Sequence, residues 1–339
     1  MNNLQSSPRR RESSMHATWI PAFAGMTALL LAFMSATSYA QTFPSKPIKI
    51  MVGASAGGGT DIMARMLADK MSVSLKQPVV VENKAGASNT IAADITAKAS
   101  ADGYTLLVAT TTGQAIAPHL LKLNYDAQKD IAPIGMLMAV PNVLVVGSSV
   151  TAKSVSELIS DIRAKPNTYQ YASSGIGSTQ HIAGEAFAKA AGLQLLHVPY
   201  RGSTQAHIDL IGGAVQMMFD TTSSAMPQIN GGKLRALAVT SGQRAGSLPT
   251  VPTLAESGVR GIDMSTWYGL FVTGGTNETT IKILTDELKR ILALPDVQKR
   301  IADLGGLQMP LYGEEFKTFN AREFATYRTL IKDANITAQ

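Results

Sequence analysis

The residues of this chain best placed to do chemistry lie between Gly53 and Asp61. Gly53-Ala54-Ser55-Ala56-Gly57 has the letters of a nucleophile elbow, G-x-S-x-G, and Gly57-Gly58-Gly59-Thr60-Asp61 continues it as a glycine loop. A phosphate cradle would end Gly-Lys-Ser/Thr, and this loop has no lysine to meet a phosphate. A secreted hydrolase using Ser55 as nucleophile builds strands and an oxyanion loop ahead of its elbow, whereas here the motif sits on the first strand after the leader. The remaining chemistry is a loop that holds a carboxylate without reacting with it, through backbone N–H groups at the positive end of a helix dipole. Asp61 is read as the cap of that helix.

The elements that position these residues follow from periodicity. Ile48-Lys49-Ile50-Met51-Val52 is a strand, and Ile62, Met63, Met66, Leu67 and Met71 recur at helical spacing. A strand at 78–82, a helix at 90–98 and a strand at 104–109 come next, the last running into Thr110-Thr111-Thr112-Gly113. This alternation indicates βαβ units, whose ligands sit at the carboxyl ends of strands, where both polar loops fall. After a strand at 143–146 and a helix at 154–165 the pattern restarts. A strand at 169–172 leads to Ser173-Ser174-Gly175-Ile176-Gly177-Ser178-Thr179 and a helix at 180–191, with Ser178 or Thr179 as its cap.

Further strands at 195–198 and 215–219 place Tyr200 and Asp220 at carboxyl ends as well. An acid at such a place either takes a ligand amine or hydroxyl or holds neighbouring loop N–H groups. Arg201 beside Tyr200 either pairs with a carboxylate or, as is more ordinary for an arginine on a loop, is solvated. Strands at 234–240 and 265–272 follow, the second returning to the first half. The tail is helical, and its stripe of Phe316, Phe319, Phe324, Tyr327 and Ile331 is core packing.

Two α/β lobes crossed twice by the chain make a clamshell that closes on a small ligand by hinge motion. Residues 41–142 with 268–339 form one lobe and 143–267 the other, each a mainly parallel sheet flanked by helices. Residues 1–40 read as a cleavable signal peptide: Arg9, Arg10 and Arg11, an apolar run at 28–34, and Ser38-Tyr39-Ala40, with cleavage after Ala40.

The full chain has 339 residues, 45% of them hydrophobic, and no cysteine, which excludes structural disulfides and thiolate metal sites. Its net charge of +6 is spread along the chain without a basic cluster interleaved with aromatics, so it carries no nucleic-acid signature but suits an anionic small ligand. After the leader, His119, His181, His197 and His207 show no metal-ligand spacing, so neither metal nor cofactor is expected and packing or capping is the ordinary role for His181 and His197.

Taken in order, several stretches resemble the solute-binding proteins of tripartite tricarboxylate transporters, the Bug or TctC-like family. They include Phe43-Pro44-Ser45-Lys46-Pro47-Ile48, Gln77-Pro78-Val79-Val80-Val81-Glu82-Asn83-Lys84, Tyr171-Ala172-Ser173-Ser174-Gly175 and His197-Val198-Pro199-Tyr200-Arg201-Gly202. The resemblance covers residues 42–337. It implies a two-lobed periplasmic binding protein, a type II-like clamshell. Such a protein is not an enzyme; it captures a small carboxylate and presents it to a membrane permease, most simply as a monomer.

Carried over position by position, the resemblance makes Ser55, Gly57, Gly58, Gly59 and Thr60 ligand-binding, together with Thr111 and Thr112. In the second lobe it implies Ser173, Ser174, Ser178, Thr179, Tyr200 and Asp220. Family members commonly carry a Pro-aromatic-x-Pro run where this chain has Gly53, Ala54 and Ala56, which implies a wider pocket for a bulkier tricarboxylic or aromatic acid. The alternatives are the Ser55 hydrolase and an extracytoplasmic sensing receptor of the same fold.

Overall fold

Short apolar runs broken by glycine-rich loops set the strands, and a computed structural model, which describes residues 43–165 and 168–333, shows how they pair. The leader and its cleavage point lie outside the described residues. Strands β1 (Ile48–Val52), β2 (Val79–Asn83) and β3 (Thr105–Thr110) run parallel in the order β2-β1-β3, with helices α1 (Gly59–Leu75) and α2 (Thr90–Ala97) between them in sequence. The plan recurs with β5 (Gln170–Ser173), β6 (Leu196–Pro199) and β7 (Met217–Thr221) in the order β6-β5-β7, using α5 (Thr179–Ala191) and α6 (Ser203–Gly212). A sheet that starts in the middle and steps outward on both sides opens a crevice at the carboxyl ends of its strands. The strand order gives two such sets of carboxyl ends here, one after β1 and β3, the other after β5 and β7.

The long strand β4 (Ile131–Val146) joins the two halves. Its residues Ile131–Pro141 pair antiparallel with β9 (Ser265–Thr273), and Asn142–Val146 pair with β7. Strand β8 (Arg235–Val239) lies on the same end of β4, and β9 in turn lines β3, so the parallel triplets are bridged by antiparallel strands. Periodicity picks out only 143–146 of β4. Pro133, Gly135 and Pro141 disguise the rest, since proline lacks a ladder donor; register shifts between Pro133 and Gly135 and between Met136 and Met138 accommodate the irregular stretch.

Packing follows the two periods. Ile48, Ile50 and Val52 of β1 are fully buried against Met63, Leu67 and Met71, one stripe of α1. On the opposite face Met51, Leu107 and Ala109 share a core with Phe316, Tyr327 and Ile331 of the last helix, α10 (Glu314–Asp333), where the aromatic stripe belongs. The remaining helices are α3 (Ala117–Leu120), α4 (Val155–Ala164), α7 (Thr222–Asn230), α8 (Glu278–Leu292) and α9 (Pro295–Asp303). None of the described helices is long and apolar enough to cross a membrane.

Helix starts divide into two kinds. Ser154 caps α4 through Glu157 N–H, and Asn277 caps α8 through Thr280 N–H, each such cap contributing about 1 kcal/mol. Helices α1 and α7 begin at Gly58 and Thr221 with no side-chain cap, as α2, α6 and α9 do at Asn89, Gly202 and Leu294, and α1 carries the carboxylate of Asp61 in its first turn. Helix α7 opens directly from the end of β7, and α1 follows β1 through the loop at 53–58.

Candidate functional site

The starts of α1 and α7 touch. Gly59 is the first residue of α1 and Ser223 the second of α7. A Cβ on Gly59 would lie 2.3 Å from Ser223 Oγ and 2.8 Å from Tyr268 OH, so only glycine allows this approach. The two hydroxyls are hydrogen-bonded to one another at 2.8 Å. Next to them, Ser224 Oγ in the first turn of α7 is buried and unpartnered. Two positive helix ends and a set of hydroxyl donors in one buried place favour a small anion.

Around this point the loop at 53–60 is held rigidly. Asp61 holds the loop rather than the helix end: its carboxylate accepts Gly57 N–H at 2.8 Å, Arg65 Nε–H at 2.9 Å and Asn83 Nδ2–H at 2.9 Å. Burial alone would raise its pKa, but these donors, Arg65 foremost, hold it below the ordinary carboxylate value. Gly57, at φ +79°, makes the turn, and Gly58 N–H goes to Ser55 O. Of the glycine-loop amides, those of Gly59 and Thr60 are therefore the ones left facing outward from the helix end.

Hydroxyl-to-carbonyl bonds close the two halves against each other. Ser55 Oγ donates to Arg201 O at 2.6 Å, Thr204 Oγ1 donates to Ala56 O at 3.0 Å, and Ser88 Oγ donates to Ile176 O. Thr112 Oγ1 accepts Thr179 N–H at 3.3 Å, while Thr179 Oγ1 meets Thr266 Oγ1 at 2.6 Å. Thr111 turns aside to accept Trp267 N–H at 2.9 Å.

The loop at 173–179 is braced from behind. Ser173 Oγ and Gly175 are mutually bonded, Ser174 N–H goes to Gln180 Oε1, and Gly177 N–H goes to His181 Nδ1. Ser178 caps α5 by accepting His181 N–H at 3.1 Å, as its spacing predicts. Ser174 Oγ and Ile176 N–H carry no hydrogen bond among the described residues.

Of the two sequence readings of Asp220, the geometry carries the second. The residue is fully buried, and its oxygens accept Gln180 Nε2–H, Ser203 Oγ–H and Thr221 N–H, with His207 Nε2 at 2.7 Å. Asp220 thus organises the loops from beneath. Tyr200 OH donates to Asp209 at 2.8 Å, on the following helix α6.

Sequence reasoning missed three groups. Ser223 and Tyr268 come from a helix with Pro227 inside it and from the middle of β9. Gln180, Ser203 and His207 give no local sign of sharing one carboxylate. The third is the turn at 86–89, where Gly86, Ala87, Ser88 and Asn89 all have positive φ. Its signal is faint, because alanine and serine rarely adopt that conformation. This turn also fills the space expected from Gly53: a Cβ there would lie 2.6 Å from Asn89, so the small residue accommodates a neighbouring turn instead of enlarging a pocket.

The elbow reading lacks its base. His119 faces Phe324 O, His181 accepts Gly177 N–H, His197 meets Ser173 and His207 meets Asp220, so none of these histidines pairs with Ser55. Among the described residues no group of three or more His, Cys, Asp or Glu could hold a metal ion.

Residues 63–336 match the model of the tripartite tricarboxylate transporter family receptor, TctC. The chain is 36% identical over 302 residues to a UPF0065 protein from the tcbD-tcbE intergenic region of Pseudomonas sp. strain P51, covering 86% of this chain and 90% of that one. It is 34% identical over 304 residues to protein BugT of Bordetella pertussis, covering 89% and 93%. Among solved structures it superposes on the periplasmic binding protein BugD at a TM-score of 0.83 and 33% identity, covering 88% of this chain and 100% of that one. It also superposes on Rpa4515 of R. palustris with adipate at 0.84 and 31%, covering 87% and 99%. MatC of Rhodopseudomonas palustris with bound malate follows at 0.79 and 29%, covering 85% and 100%. The chain therefore belongs to the Bug/TctC family of tripartite tricarboxylate transporter receptors, which are substrate-binding proteins and not enzymes.

Proposed function

We propose that this protein is a periplasmic carrier that captures a small carboxylate between its two halves and delivers it to a tripartite tricarboxylate-type permease. The observation that carries this reading is the contact of two uncapped helix starts, α1 at Gly59 and α7 at Ser223, one from each half. A carboxylate placed there receives N–H donors from Gly59 and Thr60, hydroxyls from the first turn of α7, and Ser174 Oγ from the braced loop. Because the donors come from both halves, the ligand favours the closed form over the open one.

Adipate and malate in two related structures support a di- or tricarboxylic acid as the ligand class, with aromatic acids also to be tested. In this reading residues 1–40 are a signal peptide removed after Ala40, lobe 1 comprises 41–142 with 268–339, and lobe 2 comprises 143–267. The observed change of partner along β4, from β9 to β7 at Asn142, supports that boundary. The carrier works as a monomer without cofactor.

Isothermal titration of residues 41–339 with adipate, malate, citrate and benzoate tests the reading. Saturable one-to-one binding of at least one acid is expected, with acid uptake lost when this protein is deleted and restored when it is supplied again. Binding with uptake unchanged would separate a sensing receptor from a carrier.

A further inference from the structure

Behind the braced loop three rings are stacked. His181 on α5 and His197 on β6 have centroids 4.0 Å apart and planes 13° from parallel, and Tyr171 on β5 lies 4.9 Å from His197. Each imidazole holds one end of the loop. His197 Nε2 lies 2.6 Å from Ser173 Oγ, on a fully buried serine. His181 Nδ1 accepts Gly177 N–H at 3.1 Å. Gly177 has φ +74°, a conformation that L side chains rarely adopt, and a Cβ on it would lie 2.6 Å from Leu120 Cδ1.

The charge state follows from this geometry. A ring nitrogen that accepts an N–H carries no proton, so the proton of neutral His181 sits on Nε2, which faces Glu185 Oε1 at 3.9 Å. The same carboxylate oxygen accepts Tyr171 O–H at 2.5 Å. Glu185 is the charged group facing His181, and His181 is the titratable group facing His197. Burial pushes both imidazoles below the ordinary histidine value, against the pull of Glu185 at His181, and His197 falls to about 3 with His181 opposing a charge on it. Both are neutral under ordinary conditions.

We propose that His181 and His197 are positioning residues for the ligand: as a neutral stacked pair they fix the Gly177 and Ser173 ends of the loop, so that Ser174 Oγ and Ile176 N–H are presented to the bound acid. The proposal rests on the carboxylate-carrier reading of the same site. It assigns these rings a hydrogen-bonding task that ring packing alone does not supply.

The test uses paired variants of the chain from residue 41. His181→Leu fills the space without an acceptor, and His181→Asn puts an amide oxygen where Nδ1 stands. His197→Leu removes the ring nitrogen beside Ser173 Oγ, and His197→Gln puts there an amide that can donate or accept. Affinity for adipate and malate is measured by calorimetry, and backbone hydrogen exchange over 173–179 is measured without ligand. Both leucine variants are expected to lose about tenfold in affinity and to speed exchange at Gly177 or its neighbours by a similar factor. The Asn and Gln variants are expected to return to within roughly threefold of the native chain.

Amide variants no better than leucine variants would overturn the proposal, because aromatic packing alone would then explain the loss. The ¹⁵N shifts of the native imidazoles give a readout that needs no variant: a proton on Nδ1 of His181 would also overturn it. Should the native chain bind neither acid, the carboxylate reading fails, while the exchange rates and ¹⁵N shifts still decide whether the histidines fix the loop.

Discussion

Replacing Gly59 by alanine separates closure from folding. Ordinary contact begins near 3.4 Å, and the new methyl would lie 2.3 Å from Ser223 Oγ, so the ends of α1 and α7 must part by about 1 Å or Ser223 must rotate. Rotation breaks the bonds of Ser223 Oγ to Tyr268 OH and Thr221 Oγ1, each contributing about 0.5–1.5 kcal/mol, and leaves the tyrosine oxygen still too close at 2.8 Å. The closed form therefore loses roughly 1–3 kcal/mol, or about fivefold to 150-fold in affinity. The ligand-free chain gains slightly, because alanine at a helix start narrows the unfolded ensemble by about 0.4–1 kcal/mol. Calorimetry with the best-binding acid and urea denaturation without ligand read the two effects apart. Native affinity in Gly59→Ala would refute the claim that these helix ends close on the ligand.

Three further outcomes follow from the same geometry. Asp220→Ala leaves three donors and His207 without their shared buried acceptor, a loss of about 3–5 kcal/mol, which urea denaturation detects; an unchanged midpoint would mean Asp220 is not the scaffold beneath the loops. Asp61 has a folded pKa below the ordinary carboxylate value, so it contributes stability that is present above that value and lost as pH falls toward the depressed one. Asp61→Asn should accordingly flatten the acid limb of a stability–pH curve, and an identical curve would contradict the assignment. Ser88→Ala removes the bond to Ile176 O and leaves that carbonyl unpaired at about 1–3 kcal/mol. That change should weaken acid binding with little effect on the ligand-free urea midpoint; equal losses in both would place the bond in the open form as well.

How much of this was legible in the sequence depended on whether its cause was local. β1 and α1 were readable because apolar residues switch from a continuous strand run to helical spacing across Gly57–Gly59. The strand–loop–helix restart at Ser173–Thr179 was readable for the same reason, and Ser178 is the cap its position suggested. What was not legible is long-range. Whether Asp220 faces a ligand or a scaffold depends on Gln180, Ser203 and His207, 40, 17 and 13 residues away. The helix start at Thr222 was hidden by Pro227 five residues on, since proline inside a helix removes a backbone donor. The left-handed turn at Ser88 and Asn89 has no glycine at those positions to announce it.

The carboxylate claim itself is tested most directly by thermal denaturation of residues 41–339 with adipate, malate, citrate and benzoate, each beside its neutral amide. An acid present at a hundred times its dissociation constant stabilises by about 2.7 kcal/mol, which is a rise of several degrees. The account predicts such a rise with at least one acid and none with the matching amide, because the N–H donors of two helix starts select the negative charge. Equal shifts from an acid and its amide, or none from any acid, would contradict it.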